Sequence, residues 1–155
     1  MYDICNNEVF TMETTYSYLH RVQYYETDGM RIVHHANYIH WMEEARIAYM
    51  EEAGYGYDRM EADGIAIPVL GIDCQYKSMM RFGQICRVLV RVTKLTPVRM
   101  SLSYEFYDSE TDTLCGTATS DHCFIGKNGR PGSLKKNMPK VFDLYSKLVW
   151  KPETL

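Results

Sequence analysis

Near the start of the chain apolar and polar side chains alternate with a period of two. Tyr16, Tyr18, His20, Val22 and Tyr24 interleave with Ser17, Leu19, Arg21 and Gln23. Such alternation, rich in Tyr and Val, predicts a strand, because successive side chains of extended backbone face opposite ways. The segment Glu26–His35 breaks the pattern and carries Gly29, which predicts a loop. The period then changes. Tyr38, Trp41, Met42, Ala45, Ala48, Tyr49 and Ala53 fall three and four apart, with Ile47 and Met50 widening the stripe and Glu43, Glu44, Glu51 and Glu52 elsewhere. This predicts one long amphipathic helix, with Asn37 as its N-cap and Gly54 just past its end.

Residues Tyr55–Gly64 read as a connecting loop or a short helix. Ile65–Tyr76 resumes an extended, largely apolar run, and Pro68 gives it an irregular or edge position. The clearest signal follows. Cys86, Val88, Val90 and Val92 alternate with Arg87, Leu89 and Arg91; after Thr96-Pro97, Val98, Met100, Leu102, Tyr104 and Phe106 alternate with Arg99, Ser101, Ser103 and Glu105. Thr113–Ile125 is a further strand, closed by the turn Lys127-Asn128-Gly129-Arg130, and Pro139–Trp150 reads as a C-terminal helix. Short turns between long strands make antiparallel neighbours. One long helix can cover only one face of such a sheet, so the order predicts an α+β fold with an antiparallel sheet wrapped around a central helix.

At 155 residues with 46% apolar and 24% charged side chains, the chain has material for one core. The expected layout is an N-terminal arm over 1–14, a single domain over 15–150 and a tail over 151–155. No run approaches the ~20 apolar residues of a membrane span. Met1–Glu13 has no basic-then-apolar leader. Five cysteines, an odd set without CxxC spacing, fit reduced thiols, so the expected location is cytoplasmic. The net charge of −3 conceals an asymmetry: residues 1–75 hold 13 acidic and 4 basic side chains, residues 76–155 hold 7 and 13. The basic second half could attract a phosphorylated ligand, or be a chance segregation of solvated charge. Nucleic acid is not an expected partner at a sequence pI of 5.9.

Several familiar sites are missing: no GxSxG elbow, no phosphate-cradling glycine loop, no paired metal-ligand motif. His34, His35 and His40 straddle a loop and a helix start without HExxH or a cysteine pair, so no metal site is expected. The unusual stretch is Tyr24–Tyr38. It places Glu26 and Asp28 between a strand and the start of the buried helix. A helix start presents unpaired N–H groups and a partial positive charge, suited to an oxyanion that develops when a thioester carbonyl is attacked. A carboxylate facing it could attack directly or deprotonate a water. On chemistry alone the plainer reading carries more weight: two exposed loop acids beside surface histidines.

The same stretch resembles the signature of the 4-hydroxybenzoyl-CoA thioesterase branch of the hot-dog superfamily, most closely the YbgC-type acyl-CoA thioesterases. The resemblance rests on Tyr25-Glu26-Thr27-Asp28, Ile32-Val33, His35, Asn37-Tyr38, Glu44-Ala45-Arg46 and Gly54. It continues through Gly64-Ile65, Pro68-Val69 and Arg81-Phe82-Gly83, over roughly residues 15–145. It implies a hot-dog fold and hydrolysis of acyl-CoA to acid and CoA, with no cofactor beyond the CoA of the substrate. It also implies a homo-oligomer, dimer or dimer of dimers, with sites between subunits. Asp28 then matches the catalytic carboxylate, as base or nucleophile, and His35 lies where a backbone N–H polarises the thioester carbonyl. Tyr25, Arg31, Arg81, Lys94 and Arg99 are the implied substrate-binding candidates. An acyl carrier protein thioesterase and a non-catalytic acyl-CoA-binding protein are the alternatives. Two departures stand out: Glu26 where relatives usually have Asp, and Arg31 where they usually have Gly. If that backbone position needs φ > 0, Arg is strained where Gly is not.

Overall fold

The computed structural model describes residues 13–152. The expected arm over 1–14 and tail over 151–155 lie outside them, apart from 13–14 and 151–152. The elements run β1 (Tyr16–Arg21), a 3-10 turn (Tyr24–Glu26), α1 (Ala36–Glu52), α2 (Tyr57–Ala62), β2 (Val69–Tyr76), β3 (Ile85–Leu95), β4 (Arg99–Asp108), β5 (Leu114–Cys123), α3 (Leu134–Asn137) and α4 (Pro139–Ser146). The five strands form one antiparallel sheet in the order β1-β3-β4-β5-β2, with β1 and β2 at its edges. Cys86, Val88, Val90 and Val92 of β3 and Met100, Leu102, Tyr104 and Phe106 of β4 are buried, as their alternation predicts. They meet Tyr38, Trp41, Met42, Ala45, Tyr49 and Met50 of α1 in a single core. This is the α+β architecture expected. Among the described residues no helix is long and apolar enough to cross a membrane.

Four local expectations need correction. β1 stops at Arg21 because Val22 N–H bonds the Gln84 carbonyl and the Gln23 N–H is taken by the Glu26 carboxylate, turning the chain. Asn37 is not the cap of α1. The N-cap is His35, and Asn37 instead donates its Nδ2–H to the carbonyls of Glu26 (2.9 Å) and His34 (3.2 Å). The C-terminal helix ends at Ser146 instead of Trp150, and the short α3 before it carries no periodicity that could have announced it. Finally, Arg46 is buried where the stripe left it out, while Ala48 is only half-buried.

Arg46 belongs to a polar layer inside the core. Its Nη1 donates to the Tyr104 hydroxyl at 3.1 Å, which pairs with Ser120 Oγ at 2.8 Å, which pairs with His122 Nε2 at 2.8 Å. The Nε of Arg46 donates to Tyr57 at 3.4 Å, and among the described residues no carboxylate pairs with its guanidinium. Burial, then the Arg46 cation, hold His122 down to about 4, so its ring is neutral at pH 7.

β2 differs from the other strands. Val69, Leu70, Ile72 and Tyr76 are each more than a third exposed, and neither face of the strand is consistently covered. An apolar edge strand left open is a surface that soluble proteins normally cover or charge.

Candidate active site at the start of the central helix

The loop between β1 and α1 is closed by its own backbone. Asp28 N–H donates to the Ile32 carbonyl at 2.9 Å, Arg31 N–H to the Asp28 carbonyl at 2.9 Å, and Thr27 bridges Val33. Asp28 Oδ1 accepts the Met30 N–H at 2.8 Å, the side-chain turn that Asp favours. The turn needs a left-handed residue, and that residue is Arg31, at φ 62°; Gly29 does not take that conformation. Arg31 therefore holds the left-handed conformation that a glycine adopts more readily. A left-handed non-glycine residue costs ~1–2 kcal/mol, against ~0.5–1 kcal/mol of extra unfolded-state freedom for Gly. The Arg31 guanidinium forms no ion pair among the described residues, so little else is lost. Arg31→Gly is expected to raise the unfolding free energy by up to about 1 kcal/mol, read as a higher denaturant midpoint. A lower midpoint would mean the Arg31 side chain makes a stabilising contact.

Asp28 and His35 meet at one cleft of about 310 Å³. Asp28, Ile32, His35 and Tyr38 form one wall; Tyr76 and Met79, at and just beyond the end of β2, form the other. Asp28 is half-buried and lines this space instead of facing bulk water. The start of α1 is presented by a fixed backbone: the Tyr76 hydroxyl donates to the His35 carbonyl at 3.0 Å. Burial, then Cys74, push that hydroxyl up to about 12, which keeps it a donor. Ala36 N–H is taken by His34 Nδ1 at 3.2 Å and Asn37 N–H by the His34 carbonyl at 3.0 Å, but the His35 N–H has no acceptor among the described residues. One wall thus carries an available carboxylate and an open amide at a helix start, where the dipole adds partial positive charge.

Behind this wall lies a feature the sequence reading missed. Glu26 is 4% exposed, and a buried carboxylate costs several kcal/mol unless donors surround it. They do: Trp41 Nε1–H reaches Oε1 at 2.9 Å, and Oε2 lies 2.8 Å from both the Gln23 N–H and His20 Nε2. Burial pushes the Glu26 carboxyl up, but these donors, led by the Gln23 amide, outweigh it and hold it below the usual range. His20 Nδ1 in turn lies 3.0 Å from Glu44 Oε2, which also accepts the Tyr18 hydroxyl at 3.0 Å. The signal was His20 on the inward face of a strand and Trp41 on the buried face of the helix, two polar groups needing a partner.

The other candidates are not gathered at the cleft within one chain. Tyr25 is 81% exposed and does not line it. Arg31, within the loop, and Arg81 are exposed and do not line the cleft. Lys94 and Arg99 sit with Ser101 and Asp121 around a separate depression at the opposite end of the sheet. The registers Tyr76↔Gly116 and Phe106↔Gly116 put the cleft end of β4 seven residues from Arg99, roughly 24 Å along the strand. Tyr76 and Met79 line the site although neither stood out in the sequence.

A five-stranded antiparallel sheet curled around one buried helix, with a cleft at the N-terminus of that helix, defines the hot-dog class of proteins. The chain belongs to the thioesterase-like superfamily, whose family model matches residues 22–145. An inferred esterase of Aquifex aeolicus is 32% identical over 124 residues, covering 80% of this chain and 94% of the relative. An inferred acyl-CoA thioesterase of Bacillus subtilis is 33% identical over 127 residues, covering 81% and 91%. Among solved structures, the DHNA-CoA thioesterase of Staphylococcus aureus aligns with a TM-score of 0.83 at 29% identity, over 88% of this chain and 91% of that one.

Proposed function

We propose that this protein hydrolyses acyl-CoA thioesters to a free carboxylic acid and CoA, using Asp28 and the amide of His35. The observation that carries the reading is that a half-buried carboxylate, Asp28, and a helix-start residue whose N–H has no acceptor among the described residues, His35, line the same cleft. The thioester carbonyl oxygen accepts the His35 N–H and gains negative charge as its carbon is attacked. Asp28 either takes a proton from the attacking water or attacks the carbon itself, forming an anhydride that water then opens. The C–S bond breaks and CoA leaves as a thiolate, which takes its proton from Asp28 in the base route or from solvent in the nucleophile route. The reaction needs no cofactor beyond the CoA carried by the substrate. The kinship with an inferred acyl-CoA thioesterase supports CoA as the donor group.

The test is thiol release from a panel of aliphatic and aromatic acyl-CoAs, run beside matched acyl-carrier-protein thioesters. Turnover on the CoA panel is the expected result. Turnover confined to the carrier thioesters would move the donor, and tight acyl-CoA binding without thiol release would make the protein a binder.

The proposal includes a homo-oligomer, supported by β2, whose apolar side chains stand uncovered beside the cleft wall formed by Tyr76 and Met79. A second copy lying along this edge would cover the strand and narrow the cleft. Leu70→Lys combined with Ile72→Lys is expected to shift sedimentation from oligomer to monomer and lower turnover at least about tenfold. An unchanged sedimentation coefficient would place the interface elsewhere. A cytoplasmic location is likewise proposed, supported by four described cysteines that are all free thiols.

A further inference from the structure

We infer that Glu26 is a positioning residue for this reaction, a buried staple that fixes the Asp28 carboxylate relative to the His35 amide. The inference rests on the reading of Asp28 and His35 given above. Two sets of contacts carry it. The Glu26 carboxylate ties together β1 through His20, the 3-10 turn through Gln23 and α1 through Trp41. Its main-chain carbonyl accepts both the His34 N–H, at 2.8 Å, and the Asn37 Nδ2–H, at 2.9 Å. Those two residues flank His35, so one residue anchors the strand, the helix and the segment that presents the open amide.

The segment between the anchors cannot absorb a displacement. Asp28 and Ile32 are hydrogen-bonded across the turn, Thr27 bridges Val33, and Val33 N–H is fixed to the Met80 carbonyl at 2.8 Å. Asp28 therefore moves only as a rigid turn hung from Glu26 and Val33. A shift of Glu26 moves carboxylate and amide relative to each other instead of being taken up by loop flexing. Attack on a carbonyl is sensitive to such shifts: a displacement of about 1 Å costs on the order of 10²-fold in rate. Neither oxygen of Glu26 is exposed to a substrate, so its influence runs through Asp28 and His35.

The variants are assayed on an acyl-CoA that wild type turns over. Glu26→Gln keeps the shape but turns an NH2 donor toward either the Trp41 Nε1–H or the Gln23 N–H, each a group that can only donate. It is expected to lower kcat about 10- to 100-fold with KM within about threefold, because geometry is lost and ground-state binding is not. Trp41→Phe removes the single donor to Oε1 and is expected to lower kcat severalfold; it serves if Glu26→Gln does not fold. Glu26→Asp keeps the charge one methylene short and is expected to fall between Gln and wild type. The double variant Glu26→Gln/Asp28→Asn is expected to be no slower than Asp28→Asn alone, since placing an inert side chain no longer matters.

Wild-type kcat in both Glu26→Gln and Trp41→Phe would overturn the inference. So would a double variant slower than Asp28→Asn by the full Glu26→Gln factor. An inactive Asp28→Asn beside wild-type kcat in both Glu26→Gln and Trp41→Phe sinks this inference alone. An Asp28→Asn enzyme with full turnover sinks the reading of Asp28 and the staple with it.

Discussion

Asp28→Asn is expected to lose kcat by about 10³-fold, within the 10²–10⁴ that a positioned base contributes, while KM changes little. The carboxamide can neither hold a proton from water nor attack the thioester carbon. The loop should survive the change, because Asn offers the same Oδ1 acceptor for the Met30 N–H that shapes the turn. That makes Asn a cleaner probe than Ala, which would delete the turn and the chemistry together. An unchanged melting temperature is the control that separates lost chemistry from lost structure. Turnover near wild type would show that the reacting carboxylate is not Asp28.

The second large effect is on stability and lies away from the cleft, in the polar layer that Arg46 enters from the middle of α1. His122 titrates at about 4 in the folded protein, against an ordinary 6.5, because it is buried and shares its layer with the Arg46 cation. Above pH 6.5 neither the folded nor the unfolded chain binds this proton, and stability is at its full value. As pH falls through 6.5 the unfolded chain takes up a proton that the folded ring refuses, so stability declines until both forms are protonated below about 4. The whole window is worth about 3 kcal/mol, of which about 2 kcal/mol falls between pH 7 and pH 5. Glu26 and Glu105, held below the usual 4.5, add their losses only at lower pH. Denaturant midpoints at pH 7 and pH 5 should therefore differ by about 2 kcal/mol in wild type and by less than about 0.5 kcal/mol in His122→Asn. Equal losses in both proteins would rule out His122 as the source.

The fold was legible where one period ran without interruption. β3 and β4 bury alternate residues as read, and α1 presents the predicted stripe, because burial on one face is a local property of spacing. The errors fall where a long-range partner overrides local preference. Asn37 looks like a cap in isolation, but Glu26 draws its side chain back toward the loop. Arg46 looks like a solvated helix charge, but Tyr57 and Tyr104 draw it inward. The site divides the same way. Asp28 and His35 stood out through family resemblance and not through periodicity, and the structure brings them to one cleft. The position of Arg31 does take a left-handed backbone, at φ 62°. Tyr76 could not be singled out, because its place opposite His35 depends on β2 pairing with β5.

The central helix is fastened twice, near its start by Asn37 and Trp41 to Glu26 and in its middle by Arg46 to Tyr104. A rod held at two points does not slide to make room for a bulkier guest. Selection for new acyl groups then falls on the opposite wall at Met79, which is 62% exposed, while Tyr76 beside it is held by its bond to the His35 carbonyl. Substitutions at Met79 should retune which acids are released without disturbing the catalytic machinery, a division of labour in which one side of the cleft stays constant while the other diversifies.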